Sequence, residues 1–121
     1  MSQPKIKIAA LEHNLVQNSV SVDYTFVLSD ADSKHVFHPT ADVTARIFTI
    51  AANTVLSFPI GSELVVVNQH GAGVLTIEIT TDTMRLVNTE LVGNRTLAAN
   101  GIARIIKITD TEWIIRGDGL T

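Results

Sequence analysis

His35-Val36-Phe37-His38 is the one place where two good metal ligands stand close together in the chain. A zinc site asks for three or four such donors converging on one point. On a strand, residues three apart point to opposite faces, so these two imidazoles diverge and cannot share an ion without a bulge. The chain has no cysteine to complete a set, which also removes disulfides and thiolate nucleophiles. The spacing reads as two strand-end histidines, with His70 solvated in a turn, and neither a metal nor another cofactor is expected.

Nucleophilic catalysis finds no better footing. Ser2, Ser19, Ser21, Ser29, Ser33, Ser57 and Ser62 lie in neither a G-x-S-x-G elbow nor an S-x-x-K context. Asp30 and Asp32 sit in a turn-rich stretch, where aspartate is expected because its side chain accepts bonds from nearby backbone N–H groups. Gly71-Ala72-Gly73 lacks the lysine and the following helix of a phosphate-binding loop. Arg116-Gly117-Asp118 is an adhesion-like tripeptide too short to carry weight. An enzyme is not expected.

The elements that would position any site are strands. The 121 residues suffice for one domain, and the apolar 45% is mostly branched aliphatic rather than aromatic, which suits a β-sandwich or barrel. Net charge is −3 and the nine basic residues are scattered, so no basic stripe is available to a nucleic-acid backbone. The first fifteen residues contain no apolar run of signal-peptide or membrane-span length, which predicts neither a leader nor a membrane anchor.

Period-2 alternation recurs along the chain. It predicts strands at Lys5–Ile8, Tyr24–Leu28, His35–His38, Arg46–Ile50, Val55–Phe58, Glu63–Asn68, Val74–Ile79, Ile102–Ile108 and Glu112–Gly117. Gln69–Gly73, with two glycines, and Thr109-Asp110-Thr111 read as hairpin turns. The expected fold is all-β, an antiparallel sandwich or barrel of jelly-roll type. Residues 1–20 read as an extended N-terminal arm and 21–121 as a single β-domain; only Ala9–Val16 has a helical flavour. Val65, Val67, Ile77, Ile105, Ile108 and Trp113 are the expected core, with Leu64 and Val66 replacing Val65 and Val67 if the register shifts by one.

Several ordered segments resemble a β-rich domain of tailed-bacteriophage virion proteins. Asp23-Tyr24-Thr25-Phe26-Val27-Leu28-Ser29-Asp30-Ala31 resembles the family's "DYTLVLSDAGK" opening, and Phe48 to Gly61 is similar to "TIPANSSVAFPIGT". Asn68 to Ile77, Arg95 to Gly101 and Lys107 to Ile115 follow in the family's order, closing on Gly117-Asp118-Gly119-Leu120. The likeness covers residues 17 to 121 and departs at Ala51, often proline in the family, and at Asp32-Ser33, where glycine is usual. It implies a virion surface module with no catalytic residues to carry over.

From this resemblance the expected function is capsid decoration: a cement protein on the outside of the assembled head, made in the host cytoplasm and partnered by the major capsid protein. The alternative is a tail-fibre or receptor-binding component that recognises a host surface or glycan. Lys5, Ile6, Lys7 and Ile8 are the expected partner-binding residues, because an alternating run can add a strand to a neighbour's open edge. With only 17% charged residues to blunt its own sheet edges, the domain is expected to form a homo-oligomer, with a trimer favoured. Trp113 reads as a core anchor, with a partner contact as the alternative.

Overall fold

The computed structural model describes residues 16–32 and 34–121. Among them the alternating runs become nine strands: β1 (Val16–Ser19), β2 (Tyr24–Thr25), β3 (Lys34–His38), β4 (Arg46–Ile50), β5 (Glu63–Asn68), β6 (Leu75–Ile79), β7 (Thr83–Leu86), β8 (Arg95–Thr109) and β9 (Glu112–Leu120). One 3-10 turn, Leu28–Ala31, is the only helical element there, and no helix is long and apolar enough to cross a membrane. The fold is all-β, a single sheet curled into a half-barrel.

The pairing is mixed rather than antiparallel, which corrects the expectation. β1, β3 and β5 stack as one parallel run, and β2, β4 and β6 stack as another. The chain therefore winds in rungs, each laying one strand on either side. The turns cause this: Gly73 N donates to Asp42 O at 3.0 Å, and a Cβ on Gly73 would sit 2.3 Å from Thr44 O. The Gln69–Gly73 segment is thus packed against the corner of the rung before it and carries the chain across the core. It is not a hairpin, since β5 and β6 do not pair with each other but each with β8. The Thr109-Asp110-Thr111 hairpin does form, joining β8 to β9.

β8 closes the structure. Its first residues, Arg95–Leu97, run antiparallel to β6, and Gly101–Ile106 run antiparallel to β5, while β9 lies along its other edge with β7 outside it. The switch from one run to the other occurs at a register shift between Leu97 and Ile102. There Asn100 takes a left-handed conformation (φ 64), and Gly101 leaves room for the carbonyls of Ala98 and Asp118, 2.7 and 2.8 Å from where its Cβ would be. A bulge of this kind bends and twists a strand locally.

Stacked rungs place like residues on like. Tyr24, Phe48 and Ile77 are successive register partners, as are Val36, Val66 and Ala103. Tyr24, Phe26 and Phe48 meet edge to face at 5.9–6.0 Å, and Phe58 meets Trp113 at 5.5 Å. Ile77, Ile105 and Trp113 are core residues, as expected. Leu64 and Val66 take the inward places on β5, whereas Val65 and Val67 point to the other side. Ile108 is 44% exposed because alternation turns Lys107 inward instead. The buried Lys107 ammonium donates to Asn53 Oδ1 (2.6 Å) and Phe58 O (2.8 Å) and lies 5.8 Å from the Trp113 ring.

Two further expectations change. Val55–Phe58 is not a strand: Val55 N and Leu56 N both donate to Ala52 O, which makes a turn and leaves Val55 exposed. Val16–Ser19, placed with the arm above, is β1 and belongs to the sheet. Lys5, Ile6, Lys7 and Ile8, and the helical window before Val16, lie outside the described residues.

Candidate functional site

His35 and His38 stand on opposite faces of β3, and only His38 is fully buried. Register places His38 beside Asn68 on the next rung. Their side chains meet at 2.8 Å (Nδ1 to Oδ1), and His38 Nε2 lies 2.8 Å from Asp42 Oδ2. Asn68 Nδ2 donates to the carbonyls of Gly73 and Leu97 at 2.9 and 3.0 Å, so its Oδ1 faces the ring. Asp42 in turn receives Arg46 Nε at 2.8 Å and its terminal nitrogen at 3.2 Å. These hydrogen bonds, with Arg46 foremost, hold the Asp42 carboxyl well below the usual carboxylate range, and the Arg46 guanidinium is raised correspondingly. The chain His38–Asp42–Arg46, with Asn68, ties β3, β4, β5, the β5–β6 turn and β8 together. It resembles a proton relay, yet His38 is sealed between two acceptors, and no hydroxyl among the described residues is bonded to it.

A second cluster pins the first rung. Asp30, fully buried, accepts Tyr24 Oη (2.6 Å), Val27 N (2.8 Å) and Asn18 Nδ2 (3.2 Å). Burial, then the adjoining Asp30 carboxylate, pushes the Tyr24 hydroxyl up to about 12. Asp30 thus plays the expected turn role toward Val27 and a larger one toward β1 and β2. No group of three metal-ligating side chains assembles among the described residues.

With the polar clusters spent inside, chemistry is left to the outward sides of the two runs, and these differ. Over β2, β4 and β6 the register partners Thr25, Thr49 and Glu78, and Ile47, Thr76 and Thr96, give a threonine-rich surface. Over β3, β5, β8, β9 and β7 the outward side chains include Phe37, Val65, Val67, Ile102, Ile106, Ile114 and, just past β7, Val87. Most of these are half-buried or exposed.

Within the aliphatic side runs a trough made of two grooves that share Ile102. One, of about 450 Å³, is lined by Val87, Ile102, Arg104, Arg116, Gly117 and Asp118. The other, of about 420 Å³, is bordered by Thr40, Gln69, His70 and Asn100 over Val67 and Gly101. Arg104 and Arg116 are direct cross-strand partners. Glu63 reaches Arg104 at 3.5 Å, while Arg116 has no ion pair among the described residues. No sequence motif marks this pair, although both arginines lie six positions from Asp110 and a hairpin centred there brings them face to face. His70, read as solvated, is exposed and sits on the second groove. Comparison of the chain with protein-family models, with curated proteins and with solved structures gives no match in any of the three.

Proposed function

We propose that the protein is a non-enzymatic module of a tailed-phage particle, a decoration protein that binds the outside of the assembled head as a homo-oligomer, a trimer, and stabilises it. The observation that carries this reading is the aliphatic outward side of the sheet over β3, β5, β8, β9 and β7. Apolar side chains grouped on one outward face offer packing surface to another protein; Phe37, Val67 and Ile102 supply it on one side of the Arg104–Arg116 pair and Ile106 and Ile114 on the other, while the threonine-rich side supplies solvent contact. The ordered segments that resemble phage virion domains support the major capsid protein as the partner. Lys5, Ile6, Lys7 and Ile8 add a strand to an open edge of that partner. Many modest contacts repeated over one shell then act together.

The test is co-sedimentation with undecorated heads of the parent phage. The full chain is expected to pellet with heads, and Ile106→Lys and Ile114→Lys are expected to stay in the supernatant while keeping their circular dichroism. A chain lacking residues 2–14 is expected to bind more weakly; equal binding removes the arm from the contact. The trough favours a second reading, a tail-fibre or receptor-binding component. Adsorption to host cells without adsorption to heads would select it.

A further inference from the structure

Arg104 and Arg116 present an unresolved charge problem. Direct cross-strand neighbours stand about 4.5–5.5 Å apart at Cβ, and like charges there are destabilising. Both side chains are exposed, and among the described residues the single carboxylate in ion-pair reach of them, Glu63, touches Arg104 alone. Next to Arg116 along β9 is Gly117, which also lines the groove and has no side chain to fill it. Two paired guanidinium forks suit a planar or tetrahedral oxyanion, which each fork can bind through two N–H groups.

We infer that this trough binds a saccharide carrying one oxyanion, a carboxylate or a phosphate, with the anion between Arg104 and Arg116. The remaining lining selects what the anion is attached to. Asp118 lies beside the arginines and, as a carboxylate, accepts hydroxyl protons and repels a second anion. Past Ile102 the trough offers Thr40, Gln69, His70 and Asn100, side chains that can hydrogen-bond hydroxyl groups. Val87, Ile102 and Val67 give apolar contact for C–H faces of a ring. A polyanion would meet Asp118, and a neutral sugar would leave the arginines facing each other.

The inference goes beyond particle attachment and does not depend on it, because the ligand is tested on the isolated chain. D-galacturonate, D-glucose 6-phosphate, D-galactose, D-glucose and inorganic phosphate are titrated into the protein and followed by amide chemical shifts. Galacturonate and glucose 6-phosphate are expected to bind saturably, with shifts at Gly101, Ile102 and Gly117. The neutral sugars and inorganic phosphate are each expected to bind at least about tenfold more weakly, a difference of about 1.4 kcal/mol. Arg116→Gln and Arg104→Gln, both at exposed positions, are expected to lose this preference while melting no lower than the parent. Saturable binding that survives both substitutions, inorganic phosphate binding as tightly as the sugars, or no saturable binding by either charged sugar would each overturn the inference. None of these outcomes bears on attachment to heads, which Ile106→Lys and Ile114→Lys test separately.

Discussion

His38 and Asn68, thirty positions apart, are register partners on neighbouring parallel strands, and their side chains meet at 2.8 Å inside the protein. Asn68 also receives no competition for its own donors, which go to Gly73 O and Leu97 O. One amide therefore fixes a histidine on one rung, a turn on its own rung and the strand that closes the sheet. Replacing it by Leu, of similar volume, strands a ring nitrogen and two carbonyls. Each buried group left unpaired costs about 1–3 kcal/mol, so Asn68→Leu is expected to lower the urea midpoint markedly without changing the slope of unfolding. An unchanged midpoint would mean the cluster is incidental.

Tyr24 is the only tyrosine, so its ionisation can be followed by ultraviolet absorbance without interference. It is expected to titrate near 12 in the folded protein against the ordinary 10.0. Because the folded value is raised, the protonated hydroxyl's contribution to stability is full below pH 10 and is lost as pH rises through 12. Phenolate appearing at the ordinary value while the protein remains folded contradicts the Asp30 contact.

Asp42 has the opposite sign. Its carboxyl is depressed in the folded state, chiefly by Arg46, so its contribution is present above the ordinary 3.8 and is lost as pH falls through the lower folded value. Asp42→Asn is expected to be less stable than the parent at neutral pH and to lose less stability on acidification below pH 4. Parallel acid-denaturation curves for the two proteins would show that Asp42 is not linked to folding.

Gly117 tests how closely β8 and β9 approach. A Cβ there meets Ile102 O at 2.1 Å and Ala103 Cα at 2.9 Å, backbone atoms that have no free end to swing away. Gly117→Ala is expected to destabilise by about 1–3 kcal/mol or more, the range for forced overpacking. Thermal melting reads the effect directly.

The register of β8 makes a sharper claim. Ile105 is fully buried and Ile108 is exposed, although both sit in one alternating run. Ile105→Ala is expected to cost about 2–5 kcal/mol as a core truncation, and Ile108→Ala to stay within about 0.5 kcal/mol as a surface change. Equal effects would mean that the inward place belongs to Ile108 rather than Lys107.

Local pattern was enough to show that this chain is a β-protein. Alternation placed Arg46–Ile50 and Glu63–Asn68 at their observed bounds and located the Asp110 hairpin, because period-2 burial is written in consecutive residues. Alternation does not record which strand lies next to which. A glycine turn after Asn68 serves a hairpin or a crossing equally well, and the crossing was decided by Asp42 and Thr44, which close on Gly73 from the preceding rung. The same limit hid the two polar clusters and the arginine pair. Asp30 reads as a turn aspartate until Tyr24 and Asn18 arrive from other strands, and His38 reads as a strand end until Asn68 lies beside it. Arg104 and Arg116 meet on one groove only when β8 and β9 pair. Strand character is a property of neighbours in the chain; pairing, burial of a polar group and the lining of a groove are properties of neighbours in space.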